Sequence, residues 1–269
     1  MGDDIDGPGL LDVAVEAAEA AGGLLLDGLG RARRISTKSS ATDMVSEMDQ
    51  RAETLIRSIL AARRPGDAVL GEEGGQTGAT TAVRWIVDPL DGTTNYLYGF
   101  PAWCVSVAAE RDGAVQAGAV FDPVHAELWT AVAGRGAAAN GVELGRLHGP
   151  KELATSLVAT GFSYSAERRA AQGRVAARVL PAVRDLRRAG SAALDLCWVA
   201  AGRVDAYFEE GTRIWDRAAG GLVAAEVGAW VGGLDGGPPS DDGVLAAHPA
   251  IAGPLRELIA GPVGSAART

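Results

Sequence analysis

Residues 85–91 read WIVDPLD, an apolar run that ends in two aspartates bracketing a proline, with GTTN directly after it. The apolar run predicts a strand. Pro89 fixes φ at its own position and biases Asp88 toward an extended conformation, so Asp88, the carbonyl of Leu90 and Asp91 can turn toward a common point. Gly92 lets the backbone come close to whatever sits there. Two carboxylates and a carbonyl form a hard, all-oxygen ligand set of the kind that Mg²⁺ or Mn²⁺ prefers, and no histidine or cysteine stands nearby to suggest zinc. Thr93, Thr94 and Asn95 then place hydroxyls and backbone N–H groups where a short helix can begin, donors suited to a phosphate. The plainer alternative is an Asx-Pro turn capping that helix, which uses one aspartate and leaves the other without a task.

The surrounding pattern sets the fold class. Residues 10–29 and 49–64 carry apolar residues at helical spacing, the second with Leu55, Ile56, Ile59 and Leu60 inward and its arginines outward. From 104 to 133, VSVAAE, AVQAGAVF and ELWTAVA read as successive antiparallel strands separated by turn signals. After a loop-rich stretch at 134–150 the texture changes. SLVATGF, RDLRRAG and VDAYFEE read as strands, and 166–183, 191–201 and 215–227 as helices, an alternation expected of an α/β half. The expected division is therefore 1–150, an α+β half, and 151–269, an α/β half. With 269 residues the chain is long enough for one large core or two medium ones.

Composition narrows the function. Hydrophobic residues make up 47% and charged residues 22%, which excludes a disordered chain. A net charge of −9 argues against nucleic acid or an anionic membrane as a partner, and an anionic ligand would need bound cations to overturn the local field. Cys104 and Cys197 lie in apolar runs outside any CxxC pair and read as buried reduced thiols. No signal peptide, myristoylation pattern or membrane span is expected, so the expected location is cytoplasmic.

Two further acidic segments matter. In GEEGG, Glu72 and Glu73 follow an apolar run between close glycines; a solvated acidic turn accounts for them as well as a ligand role does. In GTRIWDRAAGG, Asp216 stands where an Ala-rich helix begins and reads as an N-cap that still has a second oxygen to offer.

Taken together, GEEGG (71–75), DPLDGTTNYLYGFP (88–101) and WDRAAGGLVAAEVGA (215–229) resemble the inositol monophosphatase family of Mg²⁺-dependent, lithium-sensitive phosphomonoesterases, a likeness that begins at KSSATDMVSEMDQ (38–50) and runs to about residue 247. The resemblance implies an α/β fold of five alternating layers, αβαβα, and commonly a homodimer. It implies that Glu72, Asp88, the Leu90 carbonyl, Asp91 and Asp216 bind two or three Mg²⁺ ions, with Glu73 acting through a water. Thr93, hydrogen-bonded toward Asp49, would help activate the nucleophilic water, and Lys38 would sit near the metals. Asp91, Gly92, Thr93, Thr94, Gly190, Ser191, Ala192, Glu209 and Asp216 match positions that contact substrate. EVGAW departs from the usual EAGG-like ending without touching a ligand.

Chemistry and substrate follow from the same comparison. Phosphate monoester dianions repel hydroxide and release poor alkoxide leaving groups, which paired metals can offset without a covalent phosphoenzyme. The three histidines lie outside the motifs and are read as structural or surface residues. Thr94 stands where relatives acting on histidinol phosphate or 3′-phosphoadenosine 5′-phosphate often carry lysine, and Glu209 can accept hydrogen bonds from ring hydroxyls. Both tilt the reading toward myo-inositol 1-phosphate or a similar polyol phosphate. The alternatives are a histidinol-phosphate or other sugar or nucleotide phosphatase, and a non-catalytic regulatory module. That module would use Arg184, Arg187 and Arg188 toward an anionic partner, although such a run is more simply a solvated strand edge.

Overall fold

The computed structural model describes residues 7–29, 35–37, 44–78, 83–150 and 152–261; Lys38 lies outside them. Helix α1 (Gly7–Gly28) and helix α2 (Glu47–Arg63) flank a short ribbon of β1 (Ile35–Thr37) and β2 (Met44–Ser46). Leu10, Val13, Ala14, Ala17, Ala21 and Leu25 recur every three or four residues along α1 and are all buried, forming one apolar stripe. At Gly22 the stripe has no side chain, because a Cβ there would stand 2.4 Å from the Phe121 ring.

That stripe covers one face of an eight-stranded sheet built from β3 (Ala68–Gly71), β4 (Gly75–Thr77), β5 (Val83–Asp91), β6 (Cys104–Arg111), β7 (Ala114–Asp122), β8 (Glu127–Val132), β9 (Gly136–Ala139) and β10 (Val142–Glu143). Its order is β10-β9-β8-β7-β6-β5-β3-β4, antiparallel throughout except for the parallel β3–β5 pair. Helix α3 (Thr93–Tyr98) follows β5 at once.

The rest of the chain forms a five-stranded sheet from β11 (Leu157–Thr160), β12 (Asp185–Arg187), β13 (Ala206–Glu209), β14 (Trp230–Gly232) and β15 (Val244–Ala247), in the order β12-β11-β13-β15-β14. Helices α4 (Ala166–Val179) and α7 (Pro249–Ala260) cover its outer face, while α5 (Ala192–Ala200) and α6 (Ile214–Glu226) fill the space between the two sheets. The result is five layers, αβαβα, as the resemblance implied.

The central layer explains the composition of α5. A helix between two sheets must be apolar on nearly every side, and eight of its nine residues are buried, including Asp195. Close approach needs small residues: a Cβ on Gly118 of β7 would stand 2.9 Å from the Ala219 backbone of α6, and one on Gly220 would stand 2.9 Å from the Ala193 carbonyl of α5. Three tryptophans, Trp85, Trp103 and Trp129, are buried in and beside the larger sheet, each contributing roughly 1.5–3 kcal/mol or more through removal of apolar area from water.

The strands expected from 104 to 133 and the α/β alternation after 157 are present. Four differences stand out. The stretch 134–150 holds the edge strands β9 and β10, and β14, β15 and α7 lie around and beyond the glycine-rich stretch near 232–243, where the sequence pattern assigns no element. The helix expected over 166–183 stops at Val179 and tightens into a 3₁₀ turn at Leu180–Ala182, because Pro181 cannot continue it. Leu55 and Ile59 are only partly buried, whereas the polar Asp49 and Glu53 of α2 are fully covered. Arg57, expected outward, turns back to Glu53 (2.7 Å) and to the Gly75 carbonyl (2.7 Å).

Candidate active site

The end of β5 carries the first two acidic groups. Opposite Ser106 and Cys104 of β6, the strand accommodates one extra residue between Asp88 and Asp91, a bulge that turns both carboxylates toward the same side. Asp88 accepts the Leu90 N–H at 3.0 Å through Oδ1, so the Asx-type turn and the ligand reading coexist on one side chain. Gly92 follows at φ 97°, where a Cβ would meet the Ala102 carbonyl at 2.9 Å.

Parallel pairing brings in the third. Gly71 of β3 lies opposite Val87, and the Glu72 N–H donates to the Val87 carbonyl at 3.2 Å, which sets Glu72 beside Asp88. The turn that holds it is fastened from beneath by Glu53, whose carboxylate accepts the N–H groups of Glu73 and Gly74 at 2.8 Å each. A Cβ on Gly71 or Gly74 would stand 2.6 or 2.7 Å from that carboxylate, which is why glycines flank the two glutamates.

Asp216 arrives from the far half. The Ser106 hydroxyl, across the strand pair from Asp88, donates to the Trp215 carbonyl at 3.2 Å and ties the start of α6 to the larger sheet. Asp216 is the third residue of the helix rather than its N-cap, and its Oδ2 accepts the Arg213 N–H at 2.7 Å. Asp91 is held from the same side: its Oδ2 accepts the Ser191 hydroxyl at 2.6 Å and the Ala193 N–H at 2.7 Å.

These groups line one cavity of about 880 Å³, together with Leu90, Gly92, Thr93, Gly190, Ala192 and Glu209. Four expected contacts stand behind its wall. Asp49 is buried beneath Thr93, whose hydroxyl shares its proton between Asp49 Oδ2 and the Leu90 carbonyl, 3.1 Å each. Glu73 sits in the Glu53-bound turn, the Ser191 hydroxyl is committed to Asp91, and Thr94 pairs with the Tyr164 hydroxyl at 3.3 Å. Residues missed in the sequence are Glu53, Arg168, Arg188 and the 162–166 loop; Arg188, read with a solvated strand edge, lines the cavity.

Electrostatics show that the floor concentrates negative charge. Burial pushes the carboxyls of Asp88, Asp91 and Asp216 up, and for Asp88 and Asp216 the negative charge of their acidic neighbours pushes further in the same direction. Glu209 is raised to about 7, mainly by burial, against the opposing pull of the Tyr207 hydroxyl and Arg188. Among the described residues no three acidic, imidazole or thiolate groups stand close enough to hold an ion as they are. The carboxylates instead surround a shared space, and a hard cation would relieve the repulsion that raises them, so the donor set fits Mg²⁺ or Mn²⁺. No histidine lines the cavity; His248 caps α7 and His125 pairs with Asp122.

A sequence profile described as the inositol monophosphatase family matches residues 9–263. The chain belongs to the inositol monophosphatase family. It is 48% identical over 231 residues to an inositol-1-monophosphatase of Mycobacterium leprae, covering 82% of this chain and 79% of the relative. It is 41% identical over 236 residues to a protein named Nus factor SuhB of Xylella fastidiosa, covering 86% and 85%. The crystal structure of the suppressor protein SuhB of Bartonella henselae superposes with a TM-score of 0.88 at 36% identity, covering 94% of this chain and 98% of that one. Membership makes this protein a phosphatase, and the five-layer fold is the one its structural relatives share. Among its described residues, no helix is long and apolar enough to cross a membrane.

Proposed function

We propose that the protein is a Mg²⁺-dependent phosphomonoesterase that hydrolyses myo-inositol 1-phosphate or a similar polyol phosphate to the free alcohol and phosphate. The observation that carries this reading is the convergence of Glu72, Asp88, Asp91 and Asp216 on one cavity, with Thr93 hydrogen-bonded to the buried Asp49 at its edge. Glu72, Asp88, the Leu90 carbonyl, Asp91 and Asp216 would hold two or three Mg²⁺ ions. Divalent ions bound there supply Lewis acidity toward a phosphoryl group and ease deprotonation of water.

The chain's own groups do the rest. Thr93 Oγ1 passes its proton toward Asp49 Oδ2 and can then accept one from an attacking water, a relay that needs no covalent phosphoenzyme. Asp91 is oriented by Ser191 and Ala193, so Ser191 acts through Asp91 in this reading, while Gly190 and Ala192 present backbone to the ligand. Glu209 accepts hydrogen bonds from substrate hydroxyls, and Glu73 acts through the turn it shares with Glu72. The division near residue 150 then separates a half with most of the acidic groups from a half with Asp216 and Glu209.

The relative named Nus factor favours a second reading, a regulatory binding module on the same fold. The complete acidic set in the cavity supports catalysis instead. The reading also takes the protein as a cytoplasmic homodimer, supported by the exposed aromatics Tyr98 and Phe100, which a second copy would cover.

The test is phosphate release, with and without Mg²⁺, from myo-inositol 1-phosphate, histidinol phosphate and 3′-phosphoadenosine 5′-phosphate. Inositol phosphate should lead in kcat/KM, and activity should vanish without the metal. A lead by another substrate would overturn the polyol assignment; no turnover of any would favour the binding module.

A further inference from the structure

Beneath the acidic floor, helix α2 presents a deeper row of charged groups. Asp49, Glu53 and Arg57 recur at four-residue intervals and so share one face of the helix. Charged helix residues ordinarily face water, yet both carboxylates of this row are fully covered. Asp49 takes the Thr93 hydroxyl at the edge of the cavity. Glu53, one turn further along, does not line the cavity at all.

Its carboxylate is nonetheless saturated with donors. Oε2 accepts the Glu73 N–H at 2.8 Å, while Oε1 accepts the Gly74 N–H at 2.8 Å and Arg57 Nε at 2.7 Å. Arg57 carries the tie on to β4, where Nη2 donates to the Gly75 carbonyl at 2.7 Å and Nη1 to the Thr77 hydroxyl at 2.6 Å. Burying a carboxylate is costly unless donors surround it, and here three do. A glutamine would be a poor replacement, because it has one acceptor oxygen and its NH₂ group would face a donor. The charge at position 53 is thus matched to the turn and not to solvent.

The turn needs such a fastening. Glycines occupy positions 71, 74 and 75, the last at φ 61°, so the backbone between β3 and β4 has little conformational preference with which to hold Glu72. The negative charge of Glu72 pushes up the carboxyls of Asp88 and Asp216, and the same repulsion would drive an unrestrained turn outward. A tether from α2 holds the turn against that repulsion before any cation arrives, and preorganisation of this kind shows itself in affinity. One helix then serves as a common base for the Thr93 hydroxyl and the Glu72 turn.

Resting on the phosphatase reading above, we propose that Glu53, braced by Arg57, is a positioning residue that holds the Glu72–Glu73 turn ready for divalent cations and so sets the affinity of the floor for them. The experiment titrates Mn²⁺ into the wild type, Glu53→Gln and Arg57→Ala, reading free Mn²⁺ by electron paramagnetic resonance. In parallel it follows the Mg²⁺ dependence of phosphate release from myo-inositol 1-phosphate, and melting curves in chelator establish that each variant is folded. Expected is an apparent Kd for Mn²⁺ about tenfold or more higher in Glu53→Gln and about threefold higher in Arg57→Ala, with most of the lost turnover recovered at saturating Mg²⁺. An Mn²⁺ affinity unchanged in Glu53→Gln, even alongside a lower melting temperature, would reduce Glu53 to a structural brace and overturn the proposal. A loss of kcat that no Mg²⁺ concentration repairs would overturn it as well. A wild type that binds Mn²⁺ and hydrolyses nothing would instead sink the phosphatase reading, while the Mn²⁺ affinities alone would still decide the role of Glu53.

Discussion

The floor of the cavity and its outer wall carry opposite charge and are held by opposite means. The floor is acidic and fixed by backbone: a bulge in β5, the parallel pairing of β3, and the first turn of α6 anchored to β6. The wall, where Arg168 and Arg188 stand, is basic and fixed by side chains and loops of the second half, through Arg169 and Gln172. A floor held by sheet geometry can keep like charges close in the absence of any cation, whereas a wall held by loops can adjust to what lies against it. The first suits invariant chemistry, the second suits choice of substrate.

The largest expected effect tests the floor. Asp88→Asn removes a buried carboxylate and no core volume, so turnover should fall by about 10³-fold or more while the fold persists. The same change should stabilise the metal-free protein, because Asp88 is held protonation-prone by burial and by Glu72, Asp91 and Asp216. Saturating Mg²⁺ at about a hundred times its Kd should stabilise the wild type by about 2.7 kcal/mol, and this gain should shrink in the variant. Melting curves in chelator and in Mg²⁺ check both. A variant as active as the wild type, or one that responds to Mg²⁺ equally, would break the assignment of the floor.

A smaller effect probes how the floor is held. Gly71→Ala would push a Cβ into the Glu53 carboxylate, which is pinned by two backbone N–H groups and Arg57. Urea unfolding should register a loss of about 1–3 kcal/mol, and displacement of the Glu72 turn should lower kcat. Unchanged stability would mean that the turn does not depend on Glu53.

How much of this was legible depends on the distance over which each residue acts. Asp88 and Asp91 stood out because they share a short stretch with its own turn chemistry; Glu72 and Asp216 stayed ambiguous until the three motifs together pointed to the family, and the change of pattern after residue 150 gave the α/β second half while the resemblance gave the five layers. Glu53 did not, since the backbone N–H groups it holds lie about twenty residues away and a glutamate paired with an arginine one helical turn on looks like any solvated one. Arg168 and Arg188 were hidden for the same reason: nothing local distinguishes an arginine that lines a cavity from a surface one. The strands β14 and β15 are only three and four residues long and are separated by a glycine-rich segment, so their place in the sheet is set by pairing, of β15 with β13 and of β14 with β15, rather than by propensity.

The smallest effect lies where floor meets wall, at Glu209. Its carboxyl is raised from 4.5 to about 7, mainly by burial, so the folded protein holds this proton more tightly than the unfolded chain. The resulting stability is complete below pH 4.5 and is lost as pH rises through about 7. Glu209→Gln should therefore match the wild type near pH 4 in metal-free buffer and exceed it by pH 8, by at most about 3.5 kcal/mol at roughly 1.4 kcal/mol per pK unit. Loaded with metal, the variant should reorder substrates by their hydroxyls rather than lose all turnover. A stability difference that stays flat from pH 4 to pH 8 would mean Glu209 is solvated when charged. It would then belong with the adjustable wall instead of the buried floor.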